Sequence, residues 1–246
     1  ITAKFTPPYS LFNDIDYGSL GEQHEFQLQN ENGVLINRQG RPLAPGEAPV
    51  PDQGKIDQEK YEWLEFYKIK FSGSWYTNLF ADLVMRTHAE YGFLGAYNNE
   101  RGVPPFERFY LGGDGMGTYS LDGREAIALR GYPNQSLVPA SRSIVSGTDN
   151  DGATIYNKYS LELRYPITLK PTASIYALTF LEAGASYDGF GDYKPFQLYR
   201  SAGVGLRIYM PAFGLLGIDF GYGFDALPGT NTPNGWETHF IIGRQF

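Results

Sequence analysis

The sequence predicts an all-β fold, a transmembrane antiparallel β-barrel, and three observations lead there. Long segments alternate apolar and polar residues. The connections between them alternate short and long. The final segment, Trp236 to Phe246, alternates in the same way and ends on an aromatic residue, the expected place for a ring at the membrane–water boundary.

The alternating segments follow in order. Ile1, Ala3 and Phe5 oppose Thr2, Lys4 and Thr6, so the chain is expected to start inside a strand and to be the C-terminal piece of a longer one. His24 to Gln29 is a weak strand. Tyr61 to Trp75 is stronger, although Leu64 and Phe66 interrupt its polar face. In Leu79 to Phe93, Leu83, Met85 and Tyr91 oppose Asp82, Arg86, His88 and Glu90. The pattern is clearest from Asn157 to Leu169. There Tyr159, Leu161, Leu163, Tyr165 and Ile167 share one face, and Lys158, Ser160, Glu162, Arg164 and Thr168 the other. A helix would scatter both sets around its circumference. Ser174 to Tyr187 is mixed. Ala202 to Met210 and Leu216 to Phe224 each set apolar residues against glycines and single charges (Arg207, Asp219), and Trp236 to Phe246 closes the series. The total is about nine strands, each near the roughly 9–11 residues that a tilted membrane strand needs.

Tight turns are expected at Thr77-Asn78, Lys170-Pro171-Thr172 and Pro211-Ala212. The long connections are Glu31 to Glu59 and Asn98 to Asn157. Short turns on one side and long extracellular loops on the other match the plan of outer-membrane barrels. A soluble β-sandwich also alternates, but it is expected to have shorter strands and no polar face rich in glycine and charge.

Composition excludes several function classes. Aromatic residues make up 16% of the chain, with Tyr 19, Phe 17 and Gly 30, a mixture suited to lipid-facing strands, girdles and turns. The mean hydropathy of -0.34 is no objection, because a barrel carries its hydrophobicity in every second residue. No stretch reaches the roughly 18 apolar residues of a spanning helix. Cys 0 removes disulfides, thiolate catalysis and Cys-ligated metal. A net charge of -7 disfavours nucleic acid as a partner.

Other signals are weak. Gly112-Gly113-Asp114-Gly115-Met116-Gly117 lacks the Lys-Ser/Thr ending of a phosphate loop. Asp149-Asn150-Asp151-Gly152 lacks the closing Glu of a calcium loop, since Ser160 holds that position. His24, His88 and His239 lie on separate segments without metal-ligand spacing, and Ser141, Ser143 and Ser146 have no nucleophile elbow. Neither a cofactor, a metal nor an enzymatic activity is expected.

The segment 98–157 is too long for a mere connector. It carries Glu107-Arg108-Phe109-Tyr110-Leu111-Gly112-Gly113 and then Leu129-Arg130-Gly131-Tyr132. Downstream come Asn157-Lys158-Tyr159 to Leu163-Arg164-Tyr165-Pro166, then Phe180-Leu181-Glu182-Ala183-Gly184, then Gly203-Val204-Gly205-Leu206-Arg207 with Pro211, and finally Ile242-Gly243-Arg244-Gln245-Phe246. In this order they resemble the Omp85 superfamily, in particular its BamA-type outer-membrane assembly factors, whose long loop carries a V-R-G-F/Y motif. Thr6-Pro7-Pro8-Tyr9-Ser10 sits where such proteins have a periplasmic turn. Two departures keep the chemical character: Glu182 stands where the family usually has Asp, and Leu129 where it has Val.

The resemblance implies about nine of roughly sixteen barrel strands, with periplasmic POTRA domains upstream. It implies that the loop folds into the lumen and that Leu129, Arg130, Gly131 and Tyr132 tether it to a wall segment holding Phe180, Glu182 and Gly184. Loss of Arg130 would then leave Glu182 unpaired, and reversing both charges would partly restore function. The resemblance also implies a weak closing-strand seam at Phe240, Ile242, Gly243 and Phe246, where incoming strands are templated. The implied function is insertion of nascent outer-membrane β-barrel proteins, with lipoprotein subunits and outer-membrane lipids as partners. Further surface lipoproteins on Gly33 to Gly54 are an additional expectation. Alternatives are a TamA-like factor, a two-partner secretion transporter of the same superfamily, or a passive porin or structural barrel.

Overall fold

The computed structural model describes residues 1–13, 15–115, 124–139, 152–170, 173–211 and 214–243. The chain divides into two compact units, one of residues 1–3, 68–94 and 105–246, the other of residues 4–67 and 95–104.

An antiparallel eight-stranded sheet dominates the first unit. Its strands are β1 (Thr2–Phe5), β2 (Tyr67–Phe80), β3 (Leu83–Gly95), β6 (Ile155–Lys170), β7 (Ala173–Tyr187), β8 (Tyr199–Met210), β9 (Gly214–Ala226) and β10 (Pro233–Ile242), neighbours in that order. The remaining two, β4 (Phe109–Leu111) and β5 (Glu125–Ile127), pair in parallel within the long connection between β3 and β6. The sheet is open, with β1 and β10 at its edges.

The period-2 sequence pattern sorts the two faces. Leu163, Tyr165, Leu181, Val204, Phe220, Phe224, Trp236 and Phe240 are exposed on one face. Arg86, Lys158, Glu162, Glu182, Arg207, Asp219 and His239 are buried on the other, beneath the long connection. Water-facing proteins bury the apolar set; here the arrangement is inverted, as a lipid-facing surface requires. β6 carries one bulge, where Pro166 pairs with Tyr176 but Thr168 with Ile175. Proline has no N–H for the ladder, and the extra residue Ile167 absorbs the slip.

Several sequence expectations need correction. The turn between β2 and β3 falls at Ala81-Asp82 rather than Thr77-Asn78, with Ala81 in the left-handed region at φ 47°. His24 to Gln29 is not a strand; it holds a 3-10 turn, His24–Phe26, and only isolated bridges. The described sheet therefore has eight strands, not nine. Residues before Tyr67 do not extend β2. The helix α1 (Gln53–Tyr61) occupies part of that stretch, capped by Asp52, whose side chain accepts from Gly54 N at 3.1 Å and Lys55 N at 3.3 Å. Such a cap satisfies orphan N–H groups at the first turn. Pro7-Pro8 is not part of a tight turn either, because it opens the long 6–66 connection between β1 and β2. Because the strands run up and down, 6–66 leaves the sheet at the same end as 96–154, 188–198 and 227–232, opposite the tight turns.

In the second unit, Tyr17, Leu20 and Ile56 form a small core with Phe26 against it. A buried ion pair joins its two chain segments. Arg101 Nη1 lies 2.9 Å from Glu65 Oε2, its other nitrogens donate to the Lys60 and Trp63 carbonyls, and it sits over the Tyr17 ring. Glu65 also accepts from Ser10 N and Oγ at 2.8 and 2.6 Å.

Candidate functional site

The connection between β3 and β6 packs its apolar residues onto the polar face of the sheet. Phe109, Leu111, Leu129, Tyr132 and Leu137 are almost completely buried. Phe109 meets Tyr156 of β6 edge-on with ring centroids 4.7 Å apart, and Ser186 Oγ of β7 donates to the Leu137 carbonyl at 2.8 Å. Apolar burial thus brings the loop down, and it delivers one cation into a ring of carboxylates.

That cation is Arg130. Its Nη2 donates to Glu162 Oε1 at 2.6 Å and to Glu182 Oε1 at 2.7 Å, and its Nη1 to Asp219 Oδ2 at 3.2 Å. The three acids come from β6, β7 and β9. The guanidinium carbon also lies over the Phe180 ring, 3.7 Å from its centroid. Only the planar donor fork of arginine serves several acceptors and a ring face together. Burial alone would lower the Arg130 pKa, but Glu182, Glu162 and Asp219 outweigh it and push the value up. The cation is permanent.

Each acid also has at least one further cation, and Glu162 has Arg164 as well, whose Nε donates to its Oε2 at 2.9 Å. Lys158 Nζ is 3.5 Å from Glu182, Arg86 Nη1 is 3.5 Å from Glu162, and Arg207 grips Asp219 with two bonds of 2.6 and 2.7 Å. The face is a charge lattice into which Arg130 is inserted, not a single pair. Loss of Arg130 therefore does not leave Glu182 unpaired, contrary to the expectation above.

Gly131 follows at φ 88°, a backbone region that glycine enters without steric cost. Its amide donates to His239 Nε2 at 2.8 Å, and its carbonyl accepts from Asn234 Nδ2 at 2.9 Å. Space is tight on the strand side too, since a Cβ at Gly221 would lie 2.7 Å from Gly131 N. Tyr132 Oη donates to the Arg200 carbonyl at 2.7 Å and accepts from Asp225 N at 3.2 Å. Burial pushes this phenol up to about 12, so it stays neutral and keeps both roles. Leu129 lies against Gly184, where a Cβ would stand 3.4 Å from its Cδ1.

The structure thus gathers Leu129, Arg130, Gly131, Tyr132, Phe180, Glu182 and Gly184 at one place. It adds Glu162, Asp219, His239 and Asn234, which sequence reasoning did not assign there. Phe240 and Ile242 stand apart, on the exposed face of β10. Gly243 follows them at φ 74°, with its N–H bonded to the Leu215 carbonyl at 2.7 Å. Phe246, and the Ser141, Ser143, Ser146 and Asp149 to Asp151 positions, lie outside the described residues. Among the described residues no group of His, Cys, Asp or Glu has metal-binding geometry.

Comparison with known proteins agrees with this fold. The curated outer membrane protein assembly factor BamA of Neisseria meningitidis serogroup B is 25% identical over 146 residues, covering 59% of this chain and 16% of that protein. The crystal structure of BamA from Haemophilus ducreyi lacking POTRA domains 1-3 superposes with a TM-score of 0.53 at 18% identity, over 72% of this chain and 35% of that one. The chain thus spans about a sixth of the curated relative and about a third of the solved one. A model of the Omp85 superfamily domain matches residues 55–246. The exposed apolar face, the inward-facing charges and this match together establish that the chain belongs to the Omp85 superfamily, as part of an integral β-barrel of the outer membrane.

Proposed function

We propose that this barrel portion works in an assembly factor that folds and inserts other β-barrel proteins into the outer membrane. The observation that carries the reading is Arg130, held on the polar face by carboxylates of three strands within a superfamily match over 55–246. Three ion pairs to Arg130 fix the long loop against the sheet. Holding such charges away from water is costly unless each is paired, and the pairing here gives the loop one defined position.

We take β10, at one end of the described sheet and paired with β9, as the working edge in this reading. Unpaired N–H and C=O groups in hydrocarbon cost roughly several kcal/mol each. An incoming strand that adds to such an edge relieves that cost by β-augmentation. Phe240 and Ile242 would hold the edge in the bilayer, and Gly243 takes the left-handed region directly after the strand. Nascent β-barrel proteins are the clients, outer-membrane lipids the medium, and lipoprotein subunits the partners. POTRA domains elsewhere in the full protein would receive clients on the periplasmic side.

Depletion of the full-length protein, followed by quantitative proteomics of folded outer-membrane barrels, tests this. Broad loss across unrelated barrels is expected. Loss of one secreted passenger with porins intact would replace the reading with a specialised transporter.

A further inference from the structure

Two neighbouring loop residues are held by different parts of the sheet. Arg130 binds β6, β7 and β9, whereas Gly131 is held from both sides by β10. The Gly131 N–H can only donate, so His239 Nε2 must accept and the ring proton sits on Nδ1. His239 is 4% exposed and pairs across the ladder with Asp219, the acid that also takes Arg130. Asn234 Nδ2, which reaches the Gly131 carbonyl, also lies 3.3 Å from Glu237 Oε1, so it has local support on its own strand. Among the described residues β10 is therefore held both by its ladder to β9 and by these two side-chain bonds to the loop tip.

We propose that His239 and Asn234 latch the loop tip to β10, so that the tip and the edge strand loosen together. Both are positioning residues that act through the Gly131 main chain. Linkage makes the coupling reciprocal: displacement of β10 must release Gly131, and release of the tip must weaken β10. The use of such a latch rests on the seam reading given above, but the coupling itself does not.

The test is hydrogen–deuterium exchange of the full-length protein in lipid nanodiscs, read at peptides covering 129–132 and 233–243. His239→Leu removes the acceptor and is expected to speed exchange at both segments by roughly three- to ten-fold, the scale of one hydrogen bond. His239→Gln keeps an acceptor oxygen at similar reach and is expected to restore slow exchange at both. Asn234→Ala breaks the other half of the latch and serves if His239→Leu does not fold. Faster exchange at 233–243 with 129–132 unchanged, or no change at either, overturns the latch. Coupled exchange in a protein whose depletion leaves other barrels intact would preserve the latch and overturn only the proposed function.

Discussion

Glu182 holds Arg130 twice, taking the guanidinium on Oε1 at 2.7 Å and the main-chain N–H of the same residue on Oε2 at 2.9 Å. One carboxylate thereby fixes both the direction of the side chain and the path of the backbone that presents it. Such a contact distinguishes Glu182 from Glu162 and Asp219, which touch only the guanidinium.

Removing the cation and removing the acid should differ in kind. In Arg130→Ala each acid keeps Lys158, Arg86 or Arg207, so the sheet should survive while the loop comes away. In Glu182→Ala the guanidinium keeps two acids, but the main-chain bond and the Lys158 contact are both lost. We expect Arg130→Ala to expose the loop to protease at unchanged heat-modifiable folding, and Glu182→Ala to cost about 3 kcal/mol or more, as a broken buried pair does. Equal loss of folded barrel in both variants would contradict the lattice.

Charge reversal should fail. A pairwise view expects Arg130→Glu with Glu182→Arg to recover part of what either single change loses. The structure predicts otherwise, because a carboxylate at 130 would face Glu162 and Asp219 at the positions now 2.6 and 3.2 Å from a guanidinium. Like charges at that separation are strongly unfavourable. The double variant should be at least as impaired as the worse single one, and a double-mutant cycle of loop protection would show no favourable coupling.

The long strands were legible because their period is unbroken, as in β6, β8 and β9. β2 was misplaced because Leu64, Phe66, Trp75 and Tyr76 blur its alternation, and α1 was missed although Asp52 stood as its cap. Arg130 and Glu182 were found through resemblance, not spacing. Glu162 and Asp219 were visible as polar-face charges, but only register reveals that they converge: Ser160 pairs with Glu182, and Asp219 with His239. His239 has no metal-ligand spacing in the sequence. Acceptance of one main-chain N–H leaves no spacing pattern to read.

Gly221 should tolerate no side chain. Its Cβ would approach Gly131 N to 2.7 Å and Cα to 3.0 Å, and two backbones held by hydrogen bonds have little freedom to separate. Gly221→Ala is expected to cost about 1–3 kcal/mol, as overpacking does, and to let trypsin cut after Arg130. Gly189, with nothing within 4 Å of its Cβ position, is the control. Equal trypsin resistance of both alanine variants would show that the strand does not confine the loop.

Acid should release β5 before it releases the sheet. Glu125 on β5 meets Lys68 Nζ at 2.6 Å and is also paired with Lys70, both on β2. Burial raises its pKa, but the bonds and charges of the two lysines outweigh this and hold it below the ordinary 4.5. A carboxylate depressed on folding adds stability that is fully present above the unfolded value and lost as pH falls through the folded one. Protection of 124–127 against exchange, corrected for intrinsic rates, should therefore be flat near neutrality and fall only as the pH drops below the ordinary glutamate value of 4.5. Glu125→Gln should remove that acid step, leaving 124–127 less protected than in the wild type near neutrality and equally protected once the wild-type carboxylate is protonated. A wild-type step that persists unchanged in Glu125→Gln would assign the transition to another acid.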